Sequence, residues 1–249
     1  MIILKSAAEI ERIARAGRVV RGCLDLLSER ALPGVSTIEL DRLAEEYIRS
    51  HGGIPTFKGY RGFPGSICAS PNDMVVHGIP GSTRLKEGDI LGIDVGVTLE
   101  DFVADAAVTV AVGDISAEAR DLMDATRASL DKAIAQCQVG NRVGDISHAV
   151  QTYVEARGYS VVRSLVGHGI GRSMHEDPQV PNFGPAGRGP RLAEGTVIAI
   201  EPMINIGTYE VEVAADQWAV YTRDGALSAH FEHTVAVTKN GPRVLTVLT

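Results

Sequence analysis

Five residues of the kinds that bind metal ions are spread through the C-terminal two-thirds of the chain: Asp94, Asp105, His168, Glu201 and Glu232. The four carboxylates lie in or beside apolar runs such as ILGIDVGV, TVIAIEPM and FEHTVAVT. A carboxylate in such a run is costly to bury unless a positive group lies beside it. Because these runs contain no Lys or Arg, we expect divalent cations to supply the positive charge.

The composition of this ligand set predicts which ions bind and how many. Carboxylate oxygens with a single imidazole suit Mn, Fe, Co or Zn rather than a metal that prefers thiolates. Four carboxylates carry four negative charges, which two divalent ions would balance. Two such ions can hold a shared water, lower its pKa and stabilise the oxyanion that forms when water attacks a carbonyl group.

Taken singly, these residues have simpler explanations. Asp94 is equally consistent with a turn cap, and His168, between two glycines, with a polar tight turn, while Glu232 beside His233 by itself favours an ordinary strand-edge residue. Their joint pattern favours a metal site because it occurs twice in the chain.

The two parts of the chain resemble each other in sequence. An amphipathic helical pattern that stops at a glycine occurs in 40–52 and again in 146–158. Short apolar blocks recur by chance, but polar residues that align in the same order favour a duplication. The aligned polar pairs are His77 with His168, Asp94 with Glu201, and Asp105 with Glu232.

Hydrophobic periodicity predicts an α+β protein in which each half contributes helices followed by antiparallel strands. The predicted helices are 7–29, 36–51, 116–135 and 143–157. The predicted strand regions are 66–77, 89–97, 103–112, 161–168, 196–205, 209–222 and 230–238.

Composition excludes several classes of function. Apolar residues make up 45% of the chain and charged residues 22%, as in a globular protein with a sizeable core. The net charge is -7 without a Lys/Arg cluster, which argues against nucleic acid or an anionic membrane as the main partner, although a local patch would still permit docking on a ribosome.

Cys23, Cys68 and Cys137 are widely separated and odd in number, which predicts reduced thiols in the cytoplasm. The N-terminus becomes charged after four residues, which is typical of neither a signal peptide nor a membrane span.

Several motifs together resemble those of the type I methionine aminopeptidases. They are NDMVVHGIP, IDVGV, GHGIGRSMHEDPQVPNFG, EPMIN and FEHTVAVT. The resemblance covers nearly the whole chain and keeps the order and spacing of the family's motifs. It implies the pita-bread fold, with two pseudo-symmetric halves and a central antiparallel sheet covered by helices. Here that would be a single catalytic domain over 1–249, with halves near 1–113 and 114–249.

The resemblance also implies how the ligands would be shared between two metal ions. Asp94 would bind one ion, and His168 and Glu201 would bind the other. Asp105 and Glu232 would bridge both.

Further roles follow from the same resemblance. Glu201 matches the family's proton acceptor for the attacking water, and His77 and His175 match two histidines that contact the substrate, a duty that imidazole suits near pH 7. The substrate's free α-amino group would bind a metal, so that only the first residue is removed. Its side chain would lie in a pocket, suited to a thioether, that is formed by Phe57, Tyr60, Phe63, Cys68, Met174 and Trp218. Tyr60 and Trp218 are equally consistent with core packing.

The implied activity is that of a hydrolase that removes the initiator methionine from nascent proteins by metal-activated attack of water on the first peptide bond. The implied cofactors are two divalent ions, Co, Mn, Fe or Zn. The implied partners are the N-termini of nascent polypeptides, with the ribosome as a further candidate. We expect a cytoplasmic monomer without a nucleic-acid or membrane partner.

Two residues depart from the family's usual pattern near the pocket. Arg61 stands in GYRGFP where related enzymes often carry His, and Met174 stands in GRSMHE where Phe is common. Both bear on pocket shape and substrate preference. Glu201 and Glu232 lie too close in sequence for the insertion of the type II enzymes, and we expect no zinc-finger extension before the first helix.

Three alternatives share the fold. Xaa-Pro dipeptidases and aminopeptidase P carry a further domain before the catalytic one. A binding protein that kept the fold without catalysis, or a metal-free hydrolase of creatinase type, would be expected to replace some ligands. All five ligands and both substrate-side histidines are present here, so the complete set favours a metalloenzyme.

Overall fold

Four helices form where capping residues and apolar periodicity predict them. They are Ala7–Arg30 (α1), Thr37–Ser50 (α2), Ala117–Ala135 (α3) and Val143–Glu155 (α4). At the start of α1, the Ser6 side chain accepts a hydrogen bond from the Glu9 N–H and the Glu9 carboxylate accepts one from the Ser6 N–H at 2.9 Å. This reciprocal cap satisfies two N–H groups that the first turn cannot bond internally. All four predicted helices are confirmed to within two residues at each end.

The structure is a computed structural model that describes residues 1–247. Its strands are Ile54–Pro55 (β1), Cys68–Pro71 (β2), Met74–Val76 (β3), Ile90–Leu99 (β4), Phe102–Ala111 (β5), Ser160–Val161 (β6), Gly167–Gly169 (β7), Glu176–Val180 (β8), Val197–Ile200 (β9), Met203–Asn205 (β10), Val211–Val213 (β11), Val220–Thr222 (β12), Ser228–His230 (β13), His233–Thr238 (β14) and Gly241–Val244 (β15).

Strand pairing is antiparallel throughout the described part, and two sheets carry most of it. In one, β4 lies between β1 and β2 and also pairs with β5. The other has the order β15-β14-β9-β7-β8. Two three-stranded sheets, β13-β10-β6 and β11-β12-β3, complete the pattern. With helices packed on the sheets, this is the predicted α+β architecture.

The two large sheets meet where β5 runs beside β14. The Asp105 N–H donates to Thr234 Oγ1 at 3.0 Å, and that hydroxyl donates to the Asp105 carbonyl at 2.7 Å. The Glu232 N–H donates to the Ala107 carbonyl at 2.9 Å. Backbone groups therefore join the sheets at the level of two predicted metal ligands.

Several predicted strand regions are divided in the structure. Region 161–168 contributes to β6 and β7, and region 196–205 to β9 and β10, with the two members of each pair in different sheets. The second break falls at Glu201 and Pro202 because proline has no N–H to continue a ladder. Region 209–222 is likewise interrupted by a turn, and the short strands β1, β8 and β15 were not predicted.

The helices cover the sheets through two main groups of buried apolar side chains. One group joins α1 and α2 to β4 and β5, through residues such as Leu24, Leu40 and Ile93. The other joins α3 and α4 to β9 and β14, through residues such as Leu122 and Val150. None of the helices within residues 1–247 combines the length and apolar character needed to cross a bilayer. The boundary between halves at residues 113 and 114 stays a prediction.

Asp41 on α2 positions the segment that leads into β2. It is 6% exposed, and its Oδ1 accepts hydrogen bonds from the buried N–H groups of Ser66 at 2.7 Å and Ile67 at 3.1 Å. We expect Asp41→Ala to lower the free energy of unfolding by about 2–4 kcal/mol, because two buried donors lose their acceptor. Urea denaturation in the presence of a chelator measures this.

Asp41→Asn is the matched control, since it keeps an acceptor oxygen of the same reach. We expect its loss of stability to be less than half that of the alanine variant. Equal losses in the two variants would mean that packing, and not these hydrogen bonds, accounts for the effect.

Candidate metal centre

A single cavity of about 300 Å³ brings together every residue that the sequence singled out. It lies at the junction of the two large sheets. Its lining includes the five predicted ligands, both predicted histidines and all six predicted pocket residues: Asp94, Asp105, His168, Glu201, Glu232, His77, His175, Phe57, Tyr60, Phe63, Cys68, Met174 and Trp218.

The hairpin of β4 and β5 sets the position of the two aspartates. Asp94 lies opposite Ala107 and Gly96 lies opposite Asp105, so the aspartate side chains are diagonal neighbours on one face of the hairpin. The connecting residues Glu100 and Asp101 have φ values of 50° and 64°, as in a two-residue type I′ turn. This turn keeps both aspartates on the same face.

The remaining ligands come from the other large sheet. His168 lies on β7 opposite Ala199 of β9. Glu201 follows the last residue of β9, and the Asn182 side chain donates to its carbonyl at 2.9 Å. Glu232 precedes β14 and is tied to β5 by its own N–H. Each side chain therefore projects from backbone that is held by hydrogen bonds.

The ligand atoms converge. One ligand atom each of Asp105, His168 and Glu232 lies within 4.8 Å of the other two. His168 Nε2 is 3.6 Å from Glu201 Oε1, and Asp94 and Asp105 lie on one face of the β4–β5 hairpin and line the same cavity. The five residues thus form one continuous cluster.

Burial makes the charged forms of these carboxyl groups unfavourable. It raises the pKa of Asp94 to about 7 and the pKa values of Asp105, Glu201 and Glu232 well above their usual range, with repulsion between the carboxylates adding to the effect on the last three. Arg61 is the only Lys or Arg among the residues that line the cavity.

Several oxygens of the cluster also lack a hydrogen-bond donor within the described part of the chain. They are Asp94 Oδ1, Asp105 Oδ1 and Glu232 Oε1. Buried acceptors without a donor are rare in folded proteins. Clustered, buried and unpartnered carboxylate oxygens fit divalent cations, which would provide both the missing charge and the missing contacts.

His168 is prepared to act as a ligand through one ring nitrogen. Its Nδ1 lies 2.9 Å from the Gly169 carbonyl oxygen, which can only accept, so Nδ1 carries the proton. Its Nε2 lone pair then faces the carboxylates. Burial lowers the pKa of His168 to about 4, which keeps the ring neutral near pH 7.

His77 and His175 line the same cavity beside the cluster. The His175 ring lies 4.3 Å from that of His168, and its Nδ1 is 2.8 Å from the Tyr60 hydroxyl. Burial lowers the pKa values of both His77 and His175. His77 has a φ of 61°, a left-handed conformation that is uncommon for residues other than glycine and that recurs at functional sites.

Apolar side chains form one wall of the cavity. Phe57, Phe63, Cys68 and Met174 are all buried, and Phe63 meets Trp218 edge to face at 5.1 Å. Burial, together with the nearby carboxylates, raises the pKa of the Cys68 thiol, so this cysteine remains an uncharged wall residue and not a thiolate ligand.

Some residues of the site were not predicted. His230 is 4% exposed, its Nε2 lies 3.9 Å from Glu232 Oε2, and that nitrogen has no hydrogen-bond partner in residues 1–247. Its position two residues before Glu232 was a usable signal, because alternate residues of an extended chain face the same side.

A buried ion pair also supports the turn that carries His175. Lys5 bonds Glu176, and both side chains are less than 10% exposed. Glu176 Oε1 accepts from the Arg172 N–H at 2.9 Å and the Ser173 N–H at 3.2 Å. Lys5 and Glu176 lie 171 positions apart in sequence, so no local sequence pattern predicted their contact. Further unpredicted lining residues are Val76, Ser164, Leu165, Val166 and Met203.

Comparison with known proteins identifies the family of the chain. The model of metallopeptidase family M24 matches residues 11–239. A methionine aminopeptidase of Clostridium perfringens is 55% identical over 248 residues, covering 100% of both chains. Methionine aminopeptidase 1 of Bacillus subtilis is 50% identical over 246 residues, covering 99% of each.

Solved structures show the same relationship. The crystal structure of methionine aminopeptidase from Thermotoga maritima matches with a TM-score of 0.98 at 42% identity, covering 100% of both chains. Prolidase from Pyrococcus furiosus matches with a TM-score of 0.79 at 21% identity, covering 99% of this chain and 66% of that one, a likeness of fold alone. The predicted pita-bread fold is confirmed, and the chain belongs to the methionine aminopeptidases of metallopeptidase family M24.

Proposed function

We propose that the protein removes the N-terminal methionine from polypeptides by metal-dependent hydrolysis of the first peptide bond. The observation that carries this function is the cluster of two buried carboxylates, two half-buried carboxylates and one neutral histidine beside an apolar pocket. The carboxylate cluster with its histidine suits metal-assisted activation of water, and the apolar pocket suits an unbranched apolar side chain.

We propose that two divalent ions bind, with Asp94 on one and His168 and Glu201 on the other. Asp105 and Glu232 would contact both. The match between four negative charges and two divalent cations supports this number, as do the carboxylate oxygens without donors. When bound, such ions lower the pKa of a water molecule and polarise the carbonyl group that it attacks. The oxygen-rich donor set accepts Co, Mn, Fe or Zn.

The remaining chemistry belongs to side chains of the cavity. Glu201 would take up the proton of the attacking water, since its carboxylate lines the cavity beside the ions that would hold that water. His77 and His175 would contact the scissile amide and its carbonyl oxygen. The Tyr60 hydroxyl, 2.8 Å from His175 Nδ1, holds that imidazole in one orientation.

The methionine side chain would lie against the apolar wall of Phe57, Tyr60, Phe63, Cys68, Met174 and Trp218. A flexible thioether packs well against aromatic rings. Met174 contributes a flexible thioether to this wall, where a rigid ring would leave less freedom to adapt. The pocket is therefore expected to accept the unbranched analogue norleucine as well as methionine.

We propose nascent polypeptide N-termini as the physiological substrates and the cytoplasm as the site of action, with the protein as a monomer. Contact with the ribosome would bring the cavity near emerging chains. The net charge of -7 supports neither nucleic acid nor an anionic membrane as a principal partner.

The main test is release of methionine from the peptide Met-Ala-Ser. Protein reconstituted with Mn or Co should bind about two metal ions per chain and liberate free Met, because the carboxylate cluster requires the cations that catalysis uses. Metal analysis and amino-acid analysis measure the two quantities. A protein that held no stoichiometric metal and released no Met would be a binding protein that only shares the fold, and release from Xaa-Pro peptides alone would indicate a prolidase.

Variants separate metal binding from the chemical step. We expect Asp105→Ala and Glu232→Ala each to abolish binding of both ions, because each residue would contact both. His77→Ala should keep its metal while kcat falls by about 10²–10⁴-fold, because His77 would act only on the reacting amide. Equal metal loss in the His77 variant would overturn that assignment.

The raised pKa values predict an unusual pH dependence for metal-free protein. A carboxyl group whose pKa is raised on folding stabilises the fold fully below its unfolded pKa and loses that contribution as pH rises through its folded pKa. With Asp94 raised to about 7 and three other carboxyl groups also raised, the free energy of unfolding should fall between about pH 5 and pH 8. Thermal denaturation with a chelator at each pH measures this slope.

Asp105→Asn should make this slope shallower by removing one of the four acids. Glu46→Gln, at an exposed position on α2, is the matched control and should leave the slope unchanged. Addition of Mn should restore stability at pH 8 in the wild-type protein and much less in the Asp105 variant. A pH-independent stability in metal-free wild type would contradict the account of the buried cluster.

A further inference from the structure

Arg61 is held at the cavity by a specialised turn. The chain turns at Tyr60–Gly62, closed by a hydrogen bond from the Phe63 N–H to the Tyr60 carbonyl at 2.9 Å. Gly59 and Gly62 on either side have φ values of 87° and 91°, and Arg61 itself has a φ of 49°. A left-handed arginine is uncommon and persists only where its surroundings hold it. The turn therefore fixes the direction in which the Arg61 side chain leaves the backbone.

The guanidinium of Arg61 is free to bind an external group. It is exposed, and its Cζ lies 5.4 Å from the centre of the Tyr60 ring. Within residues 1–247 it neither donates a hydrogen bond to another residue nor lies within 4.0 Å of a carboxylate oxygen. Other arginines, such as Arg15 and Arg243, are paired with acids. Its planar fork of N–H donors matches a carboxylate in shape and charge.

Arg61 is also connected to the reacting groups through Tyr60. The Tyr60 ring stacks on His175 at 5.5 Å and its hydroxyl contacts His175 Nδ1, while His175 lies against His168. These contacts run in series from Arg61 through Tyr60 and His175 to His168. Arg61 is one of the exposed residues of the cavity lining, with Ser164 and His175, and a peptide with its first residue in the pocket must pass this exposed part of the lining.

The charge around the cavity strengthens the role of this one cation. Two bound divalent ions would balance the four clustered carboxylates, and among the described residues Arg61 is the only Lys or Arg of the lining. A single positive group at the exit would then attract an approaching carboxylate and repel an ammonium group.

We propose that Arg61 is a specificity-determining residue that binds a carboxylate in the part of the substrate beyond the cleaved bond and disfavours basic residues there. The carboxylate is either an acidic side chain about two residues after the methionine or the C-terminus of a short peptide. This inference rests on the proposed aminopeptidase function.

The test compares kcat/KM for three amidated peptides that differ only at the third residue: Met-Ala-Asp-Gly, Met-Ala-Ser-Gly and Met-Ala-Lys-Gly. Metal-loaded wild type should prefer Asp to Lys by about three- to ten-fold, as for a partly exposed ion pair. The preference should shrink as salt is raised from about 0.05 M to about 0.5 M. A second comparison uses Met-Ala-Ser as the free acid and as the amide. It tests the C-terminal carboxylate of a short peptide separately from an acidic side chain.

Three variants identify the group responsible. Arg61→Gln should bring the Asp/Lys ratio close to one, and Arg61→Lys should retain part of it because the charge remains without the planar fork. Arg188→Gln removes the same charge from an exposed position outside the cavity lining and should keep the wild-type ratio. An unchanged ratio in Arg61→Gln would overturn the proposal while leaving the enzymatic function intact.

If no methionine is released, a binding measurement still tests the role of Arg61 separately from the proposed aminopeptidase function. Trp218 is the only tryptophan of the chain and lines the cavity, so its fluorescence reports occupancy. Analogues of the Asp and Lys peptides with a reduced first bond cannot be hydrolysed and can be titrated against metal-loaded protein. Tighter binding of the Asp analogue, lost in Arg61→Gln, would support the role of Arg61 even without turnover. Equal binding of both analogues would refute it.

Discussion

Repulsion among four clustered carboxylates, two of them buried and two half-buried, is the constraint on which this structure depends. Burial penalises the charged form of each of these groups, and among the described residues Arg61 is the only Lys or Arg that lines the cavity with them. The fold tolerates the arrangement because protons can neutralise the acids when metal is absent, and metal can do so when it is present. The feature that makes the isolated chain less stable near neutral pH is the same feature that binds cations.

The backbone opposes the tendency of these acids to separate. Asp94 and Asp105 share one hairpin, whose two-residue turn fixes their relative register. Glu232 and Asp105 are joined through hydrogen bonds between β5 and the start of β14. Short side chains on hydrogen-bonded strands have little freedom to move apart, so the ligand geometry is largely set before a metal arrives.

The sequence pointed to these residues as candidate ligands because they break a local rule. Charged residues such as Asp94 and Glu201 in apolar strands conflict with ordinary patterning, and such conflicts mark functional sites. The helices were predictable from their caps and periodicity. The division of region 196–205 between two sheets was less accessible, although Pro202 marks the break. The Lys5–Glu176 ion pair and the contact of Tyr60 with His175 could not be predicted, because each joins segments more than one hundred residues apart in sequence.

The hydrogen bonds between β5 and β14 determine when, during synthesis and folding, the two large sheets can come together. They connect Asp105 with Thr234, 129 residues later, so the two sheets can join only after most of the chain has been synthesised. Contacts of such long range form late because a large loop must first close. Until then the aspartates of the first hairpin have no glutamate partners to complete a binding site. A growing chain is thereby protected from acquiring a metal, and with it hydrolytic activity, before its fold is complete.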